Sequence, residues 1–479
     1  MKKRWSKARQ NRRLNWIIWG LALAMVIPTV IGFYVFRTID SRYPWLWTYV
    51  DQKFESNPTH EVSGAKHLMF IFVDHFEPHD QETMERWVSA YREVVKDHVD
   101  RDGKRPQHTW FWYFSQSEDS EKSSFLRQLS ELAYENLGEI EIHMHHYKDT
   151  GESFSALMQH AAELSQDWGA LSTVGEVPRT AFGFIHGLWS LDNSRGEGAC
   201  GVNNELIVLR KLGCYADFTH PSWGPMHPRV INKLYYATDD PQKPKSYETG
   251  VQIEAGKPGV GDLLIFTGPS VVRWNGIRPV YDHGDVTMED IPTYDRIDAW
   301  VETGVHVKGR PEWIFIKVFT HGAVAKDHEA VLGKWRDQMH DYLEGKYNDG
   351  ENYILHYVTA REAYNIAKAA EAGKMGDPND YRDFIIPPYV NRFFNSSMPF
   401  ETIKFTEQNA VIRFKAAAGD HVNVRFRVQN VIVTEGAEVH LKTESKYGTE
   451  LDLLLTGSGM VGFSFGGTNG FGTSSQANQ

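Results

Sequence analysis

Three histidines end a strand-like stretch, EIEIHMHHY, that runs from Glu139 to Tyr147. Successive side chains of an extended strand point to opposite faces. The resulting polar face carries Glu139, Glu141, His143 and His145, and the apolar face carries Ile140, Ile142 and Met144. Two histidines at this spacing lie about 6.6 Å apart along the backbone. Both imidazoles can therefore reach one metal ion at about 2.0–2.1 Å.

Two simpler interpretations of this stretch stay open. A histidine-rich strand end can be only the polar start of a loop, and the rings can donate hydrogen bonds to nearby backbone carbonyls. Whether His143 and His145 form a metal site therefore depends on the residues that the fold brings beside them. The ends of the other apolar runs supply those candidates.

Polar residues lie at the C-terminal ends of several other apolar runs. They are Asp74, His75, Glu77, His186, Asp217, His220 and His321. Strand-like and helix-like segments alternate over residues 64–386, which indicates an α/β fold. We expect a distorted (β/α) barrel of seven or eight units, in which these strand ends meet at one rim. A doubly wound open sheet is the alternative.

The N-terminal part of the chain predicts a membrane anchor. Residues 14–36 carry no charge, and as a helix they would span about 34 Å, more than the roughly 30 Å hydrocarbon core of a bilayer. Residues 1–13 carry seven Lys or Arg and no acid, which predicts a cytoplasmic segment. A stalk over 37–63 would then lead to a body outside the cytoplasm. A cleaved signal peptide is the alternative, although the apolar run is longer than is usual for one.

The pattern changes again near residue 387. Short alternating runs such as FETIKF and ELDLLLT are separated by turn residues, which predicts a small antiparallel β unit over 387–466. The chain from Gly457 onward is rich in Gly and Ser. We expect this end to be poorly ordered, with residues 467–479 as a disordered tail.

Charge and aromatic content limit the classes of molecule that this protein is expected to bind. The net charge is −11 although the first 13 residues are strongly basic, so the body is more acidic than the total suggests. This charge argues against nucleic acid as a partner. Aromatic residues make up 13% of the chain. Most of them should pack in the core, and some offer flat surfaces that can stack on sugar rings.

The strand ends resemble the motifs of a known family. Asp-His at 74–75, the HxHH run at 143–146 and Thr-His at 320–321 are similar to the polysaccharide deacetylases, carbohydrate esterases that include chitin and peptidoglycan deacetylases. The phrases FIHGLWSLDNS, CGVNNEL and GCYADFTHPS look closer still to uncharacterised deacetylase-like proteins of bacterial exopolysaccharide systems. The resemblance covers about residues 64–370.

The resemblance implies a chemistry for the rim. The family has a distorted (β/α) barrel, holds a divalent metal with an Asp and two His, and uses an Asp as base and a His as acid. The implied metal ligands, for which zinc is the expected ion, are Asp74, His75, His143 and His145. In this chemistry Asp74 or Glu77 takes the proton of a water molecule, and His321 protonates the leaving group.

Further rim residues are candidates for binding a polysaccharide substrate. They are His186, Trp189, Asp192, Asn193, Asp217 and His220. Trp189 can stack on a sugar while Asp192 and Asn193 bond its hydroxyl groups. Asp192 and Asn193 fit equally well as a turn that caps the next helix. Asp217 can equally pair with a rim histidine.

Two classes of function stay open. The first is a metal-dependent hydrolase that removes acetyl groups from a polysaccharide in exopolysaccharide or cell-envelope synthesis, anchored in the bacterial inner membrane with its body in the periplasm. The second is a catalytically silent relative that binds glycan within an envelope polysaccharide assembly machinery. A glycoside hydrolase is a variant of the first, with its acid and base drawn from Asp74, Glu77, Asp192 and Asp217.

The chain has two cysteines, Cys200 and Cys214. A helix predicted over about 202–212 separates them and places their sulfurs about 20 Å apart. A disulfide needs Cα atoms within about 7 Å. We therefore expect two free thiols, with Cys200 near the rim and Cys214 packed in the core as a small hydrophobe.

Protease added to intact spheroplasts is expected to digest the body of the protein, because the basic segment over 1–13 stays in the cytoplasm. An immunoblot against a C-terminal epitope measures the digestion. A cytoplasmic marker protein should stay intact in the same sample. Full protection of the body would contradict the predicted orientation.

Overall fold

The computed structural model describes residues 29, 32–34, 36–114, 120–176, 178–196 and 200–466. The predicted cytoplasmic segment, most of the predicted membrane span and the predicted tail over 467–479 lie outside these residues. Among the helices that are described, none is both long enough and apolar enough to cross a membrane.

The larger unit alternates strands and helices. From residue 46 onward its α-helices are α1 (Leu46–Phe54), α2 (Gln81–Val94), α3 (Ser120–Tyr134), α4 (Gly151–Gln166), α5 (Glu205–Leu212), α6 (Tyr294–Glu302), α7 (His328–Val331), α8 (Lys334–Tyr347) and α9 (Ala360–Glu371). Its strands are β1 (Lys66–Phe76), β2 (His108–Phe114), β3 (Gly138–Met144), β4 (Ser172–Val174), β5 (Arg179–His186), β6 (Cys214–Asp217), β7 (Leu234–Ala237), β8 (Val251–Gln252), β9 (Leu263–Phe266), β10 (Val271–Asn275), β11 (Arg278–Asp282), β12 (Trp313–Thr320) and β13 (Tyr353–Val358).

A large, mostly parallel sheet organises this unit. The order of its strands is β12, β1, β2, β3, β5, β6, β9, β7 and β8. The neighbours from β12 to β9 run parallel, whereas β7 and β8 extend the edge in antiparallel fashion. β13 pairs with the first half of β1, and β2 pairs with the second half. The predicted α/β class is therefore confirmed.

Strand pairing does not close this sheet into a barrel. The rings of Phe266 on β9 and Phe315 on β12 lie 5.7 Å apart, so the two strands face each other across a gap. Within the described residues no backbone pairing joins them. Loop residues occupy the edge of β12 instead, because the Val286 N–H donates to the Phe319 carbonyl at 2.9 Å and the Phe319 N–H donates to the Gly284 carbonyl at 3.0 Å. The closed ring that a full (β/α) barrel has is absent from this part of the chain.

Helices cover the outer face of the sheet, which explains why β1 and β12 are apolar on both faces. From its third residue onward β1 is buried, and β12 is buried throughout. The Trp87 ring of α2 packs edge-on against Phe76, 4.8 Å away, and the Arg336 guanidinium of α8 lies over the Phe72 ring. A strand buried on both faces favours apolar side chains at most positions rather than at alternate ones.

The C-terminal unit is a sandwich of two antiparallel sheets. Its strands are β14 (Phe394–Ser396), β15 (Phe400–Phe405), β16 (Asn409–Phe414), β17 (His421–Phe426), β18 (Val431–Glu435), β19 (Ala437–Ser445), β20 (Gly448–Leu455) and β21 (Met460–Phe465). One sheet has the order β14, β17, β20, β19 and the other β15, β16, β21, β18. Both sheets contribute to a separate apolar core, in which the Phe426 and Phe463 rings lie 4.9 Å apart. The predicted antiparallel β unit is confirmed.

One expectation for this unit was wrong. The chain from Gly457 onward was expected to be poorly ordered, yet Met460–Phe465 forms β21 in the middle of a sheet. This strand pairs with β16 on one side and β18 on the other, and Val461 and Phe463 are buried. The alternation of MVGFSF, rather than its glycine and serine content, decides the conformation here.

The two thiols are free, as predicted. Both Cys200 and Cys214 are buried. Helix α5 lies between them, and Cys214 opens β6, where it belongs to the main apolar core. The prediction of two unbridged thiols is therefore confirmed.

A buried ion pair fastens α9 to the start of β3. The Arg361 guanidinium donates to the Glu139 carboxylate at 2.9 Å from Nη2 and 3.0 Å from Nε, and the Thr359 hydroxyl donates to it at 2.6 Å. The side chains of Arg361 and Glu139 are 1% and 0% exposed. Because neither charge can be hydrated, each depends on the other.

Replacing Arg361 with Met is expected to lower the free energy of unfolding by about 3–5 kcal/mol, because the buried Glu139 carboxylate loses its closest counter-charge and keeps the more distant Arg392 Nε at 3.8 Å. The matched control is Arg413→Met, which breaks an exposed pair with Glu401 and should cost less than about 1 kcal/mol. Urea unfolding followed by tryptophan fluorescence measures both. Equal losses in the two variants would contradict the importance of burial.

Candidate metal centre

The end of β1 divides its polar side chains between two faces. His75 lies on the inner face, where its ring centroid is 4.9 Å from that of His143. Glu77 follows two residues later and also reaches His143. Asp74 lies on the opposite face, beside His108 of β2. The strand alternation therefore selects His75 and Glu77 for the rim and excludes Asp74.

Three ligand atoms converge at the rim, from the residues that we call the rim trio: Glu77, His143 and His145. Glu77 Oε1 lies 3.0 Å from His143 Nε2 and 3.5 Å from His145 Nε2. The two Nε2 atoms lie 3.2 Å apart. Ligand atoms at about 2.0–2.1 Å from one tetrahedral zinc ion are separated by about 3.3 Å. The rim trio could therefore hold a metal ion.

The hydrogen bonds of His143 leave its Nε2 atom unprotonated and able to bind a cation. His143 Nδ1 donates to the Ile185 carbonyl at 2.9 Å, so the neutral ring has an unprotonated Nε2. Burial lowers the pKa of His143, which favours that neutral ring. Its bare lone pair then faces the Glu77 Oε1 and His145 Nε2 atoms. A cation between the three atoms could accept a lone pair from each of them when the His145 ring also has an unprotonated Nε2.

His145 lies where the backbone after β5 has no side chain. A Cβ atom added to Gly187 would be 2.4 Å from Cδ2 of the His145 ring. Glycine is therefore required for the ring to lie against this backbone. The side chains of His145 and Glu77 are 16% and 31% exposed, so the rim trio is open to solvent on one side.

Two more imidazoles and an indole surround the rim trio. The rings of His75 and His321 are stacked, with centroids 4.6 Å apart. The ring centroid of Trp189 lies 5.9 Å from that of His75 and 5.6 Å from that of His321. The Trp189 Nε1 atom is buried without a hydrogen-bond partner among the described residues. Burial and the neighbouring His143 lower the pKa of His321 to about 4. His321 is therefore a neutral proton acceptor at pH 7.

Asp74, the expected ligand, belongs to a buried network in the helix layer. The Arg336 guanidinium donates to His108 Nδ1, so the His108 Nε2–H donates to Asp74 Oδ2 at 2.9 Å. The Gly322 N–H donates to Asp74 Oδ1 at 2.6 Å. Burial raises the pKa of Asp74 to about 8. Glu77 occupies the carboxylate position that the resemblance gave to Asp74.

Glu141 shares the inner face of β3 with His143 but bonds elsewhere. Its carboxyl group accepts hydrogen bonds from the hydroxyls of Tyr215 and Tyr389 and from the Gly183 N–H. Burial raises the pKa of Glu141 to about 8. Its contacts are therefore structural, and they tie β3 to β5, β6 and the segment before β14.

Asp192 and Asn193 form a turn, which is one of the two interpretations left open by the sequence. Asp192 Oδ2 accepts from the Ser246 N–H at 2.6 Å, and the side chain is fully buried. Asn193 Nδ2 donates to Asn203 Oδ1 at 2.8 Å. Both residues have positive φ angles, 51° and 52°. None of these contacts leads to the rim trio.

Asp217 and His220 are also fully buried. Asp217 accepts from the N–H and the hydroxyl of Thr219, at 3.1 and 2.7 Å. Burial raises the pKa of Asp217 to about 7, and burial lowers that of the nearby Lys317. His220 stacks on Tyr247, with ring centroids 4.3 Å apart. These expected substrate residues are enclosed in the core.

His186 has a different environment from Trp189. Its side chain is 0% exposed, and its Nε2 atom faces His146 and Glu205 rather than the rim trio. Among the residues expected to bind substrate, Trp189 is the one that lies beside the rim trio, as its ring distances to His75 and His321 show.

Comparison with known proteins gives no relative whose function could be compared with this geometry. No protein-family model and no curated protein matches the chain. The resemblance to polysaccharide deacetylases stays a prediction from the motifs quoted above. The case for a function therefore depends on the side chains at the rim.

The sequence contained a signal for the role of Glu77. Glu77 stands at i+2 from His75, so both must share a face if the extended backbone continues past the last apolar residue. The same rule placed His143 and His145 together, and their convergence is observed. No comparable signal linked His146 to Glu205, because 58 residues lie between them and only the fold brings them together.

Replacing Glu77 with Gln is expected to weaken zinc binding at the rim by more than about 100-fold, which exceeds the loss seen when an outer hydrogen-bond partner is removed. Asp74→Asn is the matched control and should keep the ion, since Asp74 faces the helix layer. Competition titration with a zinc indicator measures both.

Acidification should release a metal ion that has been bound to the rim trio, because protons compete for the imidazoles. Since the pKa of His143 is lowered, the release should begin below the ordinary histidine value of about 6.5.

In the comparison of the two substitutions, loss of zinc from Asp74→Asn but not from Glu77→Gln would contradict the assignment of Glu77 as a ligand.

Proposed function

We propose that this chain is a zinc-dependent hydrolase that removes acetyl groups from a polysaccharide. The observation that carries the proposal is the rim trio, whose three ligand atoms lie 3.0–3.5 Å apart. A catalytic metal site keeps one position open for substrate, whereas a structural site is closed. The exposed fractions of Glu77 and His145 fit an open site.

The residues beside the rim trio fit acyl hydrolysis. A divalent cation held by Glu77, His143 and His145 would supply Lewis acidity toward an acetyl carbonyl and toward water. His321 is neutral at pH 7 because of its lowered pKa, so it can accept the proton of the attacking water and pass it to the departing amine or alkoxide. His75 stacks on His321 and holds the ring in place.

A sugar is the substrate class that Trp189 supports. Its indole lies against His75 and His321, and the residue is only partly buried. Indoles present a flat apolar face together with an N–H donor, which suits the face and the hydroxyls of a pyranose.

A glycoside hydrolase has less support. That chemistry needs two carboxyl groups about 5–9.5 Å apart around the scissile bond. Of the four carboxylates considered for it, Asp74, Asp192 and Asp217 are enclosed and bonded to other groups. Glu77 alone of the four lies at the open rim.

The membrane location and the barrel relationship belong to the same proposal. The predicted span over 14–36 would hold the body at the outer surface of a bacterial inner membrane, beside the polysaccharide assembly machinery. The gap between β9 and β12 would make the sheet a distorted relative of the (β/α) barrel of deacetylases. Protease mapping in spheroplasts tests the location independently of the activity.

Zinc-loaded protein is expected to release acetate from an N-acetylated or O-acetylated glycan, measured by an enzyme-coupled acetate assay. His321→Ala should lower kcat by about 10²- to 10⁴-fold while zinc stays bound, because it removes the proton carrier. His160→Ala, on the exposed side of α4, is the matched control and should keep full activity.

A protein that binds these glycans with the rim trio loaded, yet releases no acetate, would instead be the catalytically silent binder. Equal activity of the His321→Ala and His160→Ala variants would contradict the role of His321.

A further inference from the structure

A second group of metal-binding side chains lies behind the rim. We call it the buried quartet: His146, His186, Cys200 and Glu205. His146 Nε2 lies 3.1 Å from His186 Nε2, and Glu205 Oε1 lies 3.3 Å and 3.0 Å from these two atoms. The Cys200 sulfur lies within 4.8 Å of a ring nitrogen of His146 and of one of His186, and these three residues form a group that could hold a metal ion, which Glu205 adjoins through the two rings. All four residues are at most 1% exposed.

Outer hydrogen bonds fix which ring atoms carry protons. His146 Nδ1 lies 3.1 Å from the Asp149 carboxylate, and His186 Nδ1 lies 2.6 Å from the Gly187 carbonyl. Both partners accept hydrogen bonds, so each Nδ1 is the protonated atom. The two Nε2 atoms of the neutral rings are then bare, and they point at each other and at Glu205.

Protons alone satisfy this arrangement poorly. A single added proton can bridge one pair of the three acceptors and leaves the third facing a lone pair. Two added protons would place two imidazolium rings beside each other, with Nε2 atoms 3.1 Å apart and no access to water. One divalent cation accepts a lone pair from all three atoms at once.

The remaining contacts resemble the surroundings of metal ligands. Glu205 Oε2 accepts from the Asp192 N–H at 2.7 Å, which leaves Oε1 to face the two rings. The Cys200 sulfur accepts from the His146 N–H at 3.1 Å. Burial raises the pKa of the Cys200 thiol to about 12, so the thiolate that binds metals would form as the ion binds and displaces the proton.

We propose that His146, His186, Cys200 and Glu205 bind a zinc ion in a closed, structural site that is separate from the rim trio. Imidazole, thiolate and carboxylate are all zinc ligands, and four protein ligands without solvent access are typical of structural zinc. The thiolate favours zinc over calcium or magnesium, which prefer oxygen ligands.

A comparison inside the same chain shows that neighbouring histidines do not by themselves make such a site. His67 Nδ1 lies 2.9 Å from His356 Nε2, and His356 Nδ1 lies 2.9 Å from the Asp102 carboxylate. His356 can donate to Asp102 and accept from His67, so both of these hydrogen bonds can form while the two rings are neutral. The buried quartet has no such arrangement.

The closed site would fasten the loop that carries Trp189. Positive φ angles between 51° and 58° are concentrated there, at Leu188, Trp189, Asp192 and Asn193. Such angles are unfavourable for residues other than glycine and persist only where the surroundings enforce them. His186 before the loop, and Cys200 and Glu205 after its first half, would supply that constraint. The site therefore holds Trp189 in position without touching substrate.

Cobalt(II) substitution of the full-length chain tests this proposal, because a thiolate ligand gives an intense near-ultraviolet charge-transfer band that nitrogen and oxygen ligands do not give. The wild type should bind about two equivalents of cobalt and show the band. Cys214→Ser leaves Cys200 as the one thiol in the chain and should keep both features. Cys200→Ser should lose the band and about one equivalent, and Glu77→Gln should lose about one equivalent but keep the band.

A cobalt-loaded wild type without the band would overturn the proposal, as would a band that disappears in Cys214→Ser or survives in Cys200→Ser. If Cys200→Ser does not fold, the wild type and Cys214→Ser still decide the question. Acetate release plays no part in these readings, so the failure of the proposed hydrolase function would leave the band unchanged.

Discussion

The polar row along the inner face of β3 is the constraint on which the larger unit depends. Glu139, Glu141 and His143 are fully buried and His145 is partly exposed, and a buried polar group without a partner costs free energy that no apolar contact recovers. Each member takes its partner from a different element: Arg361 from α9, Tyr215 from β6, and Glu77 from the end of β1. The strand thus determines where those elements must lie, and the rim trio is the open end of this row.

Much of the architecture follows from local pattern. The apolar runs of β1 and β12 and the alternation of the C-terminal strands determine their own conformation, because burial on two faces or one face dictates the residue type at each position. The same alternation on β3 places His143 beside His145. These features could be predicted from the sequence because the interactions that decide them lie within a few residues.

Features that depend on distant partners could not be predicted in that way. The sheet stays open because residues 284–286 occupy the edge of β12. The sequence of β12, WIFIKVFT, does not indicate which segment pairs with that edge. Asp74 turns to His108 and Arg336, which come from β2 and α8. His186 looked like a rim residue, yet its neighbours His146 and Glu205 enclose it. In each case the competing partner is tens to hundreds of residues away.

His145 and His146 are neighbours in the chain, yet one faces the open rim and the other faces Glu205 in the interior. Because side chains alternate along an extended backbone, inserting or deleting one residue here would exchange the two faces. Substitutions can accumulate in the loops on either side during divergence, and those loops can change length. The segment from His143 to His146 cannot change length, since two independent sets of neighbours fix the spacing of its residues. This short segment is therefore a point where evolution of the protein is confined to changes of residue type.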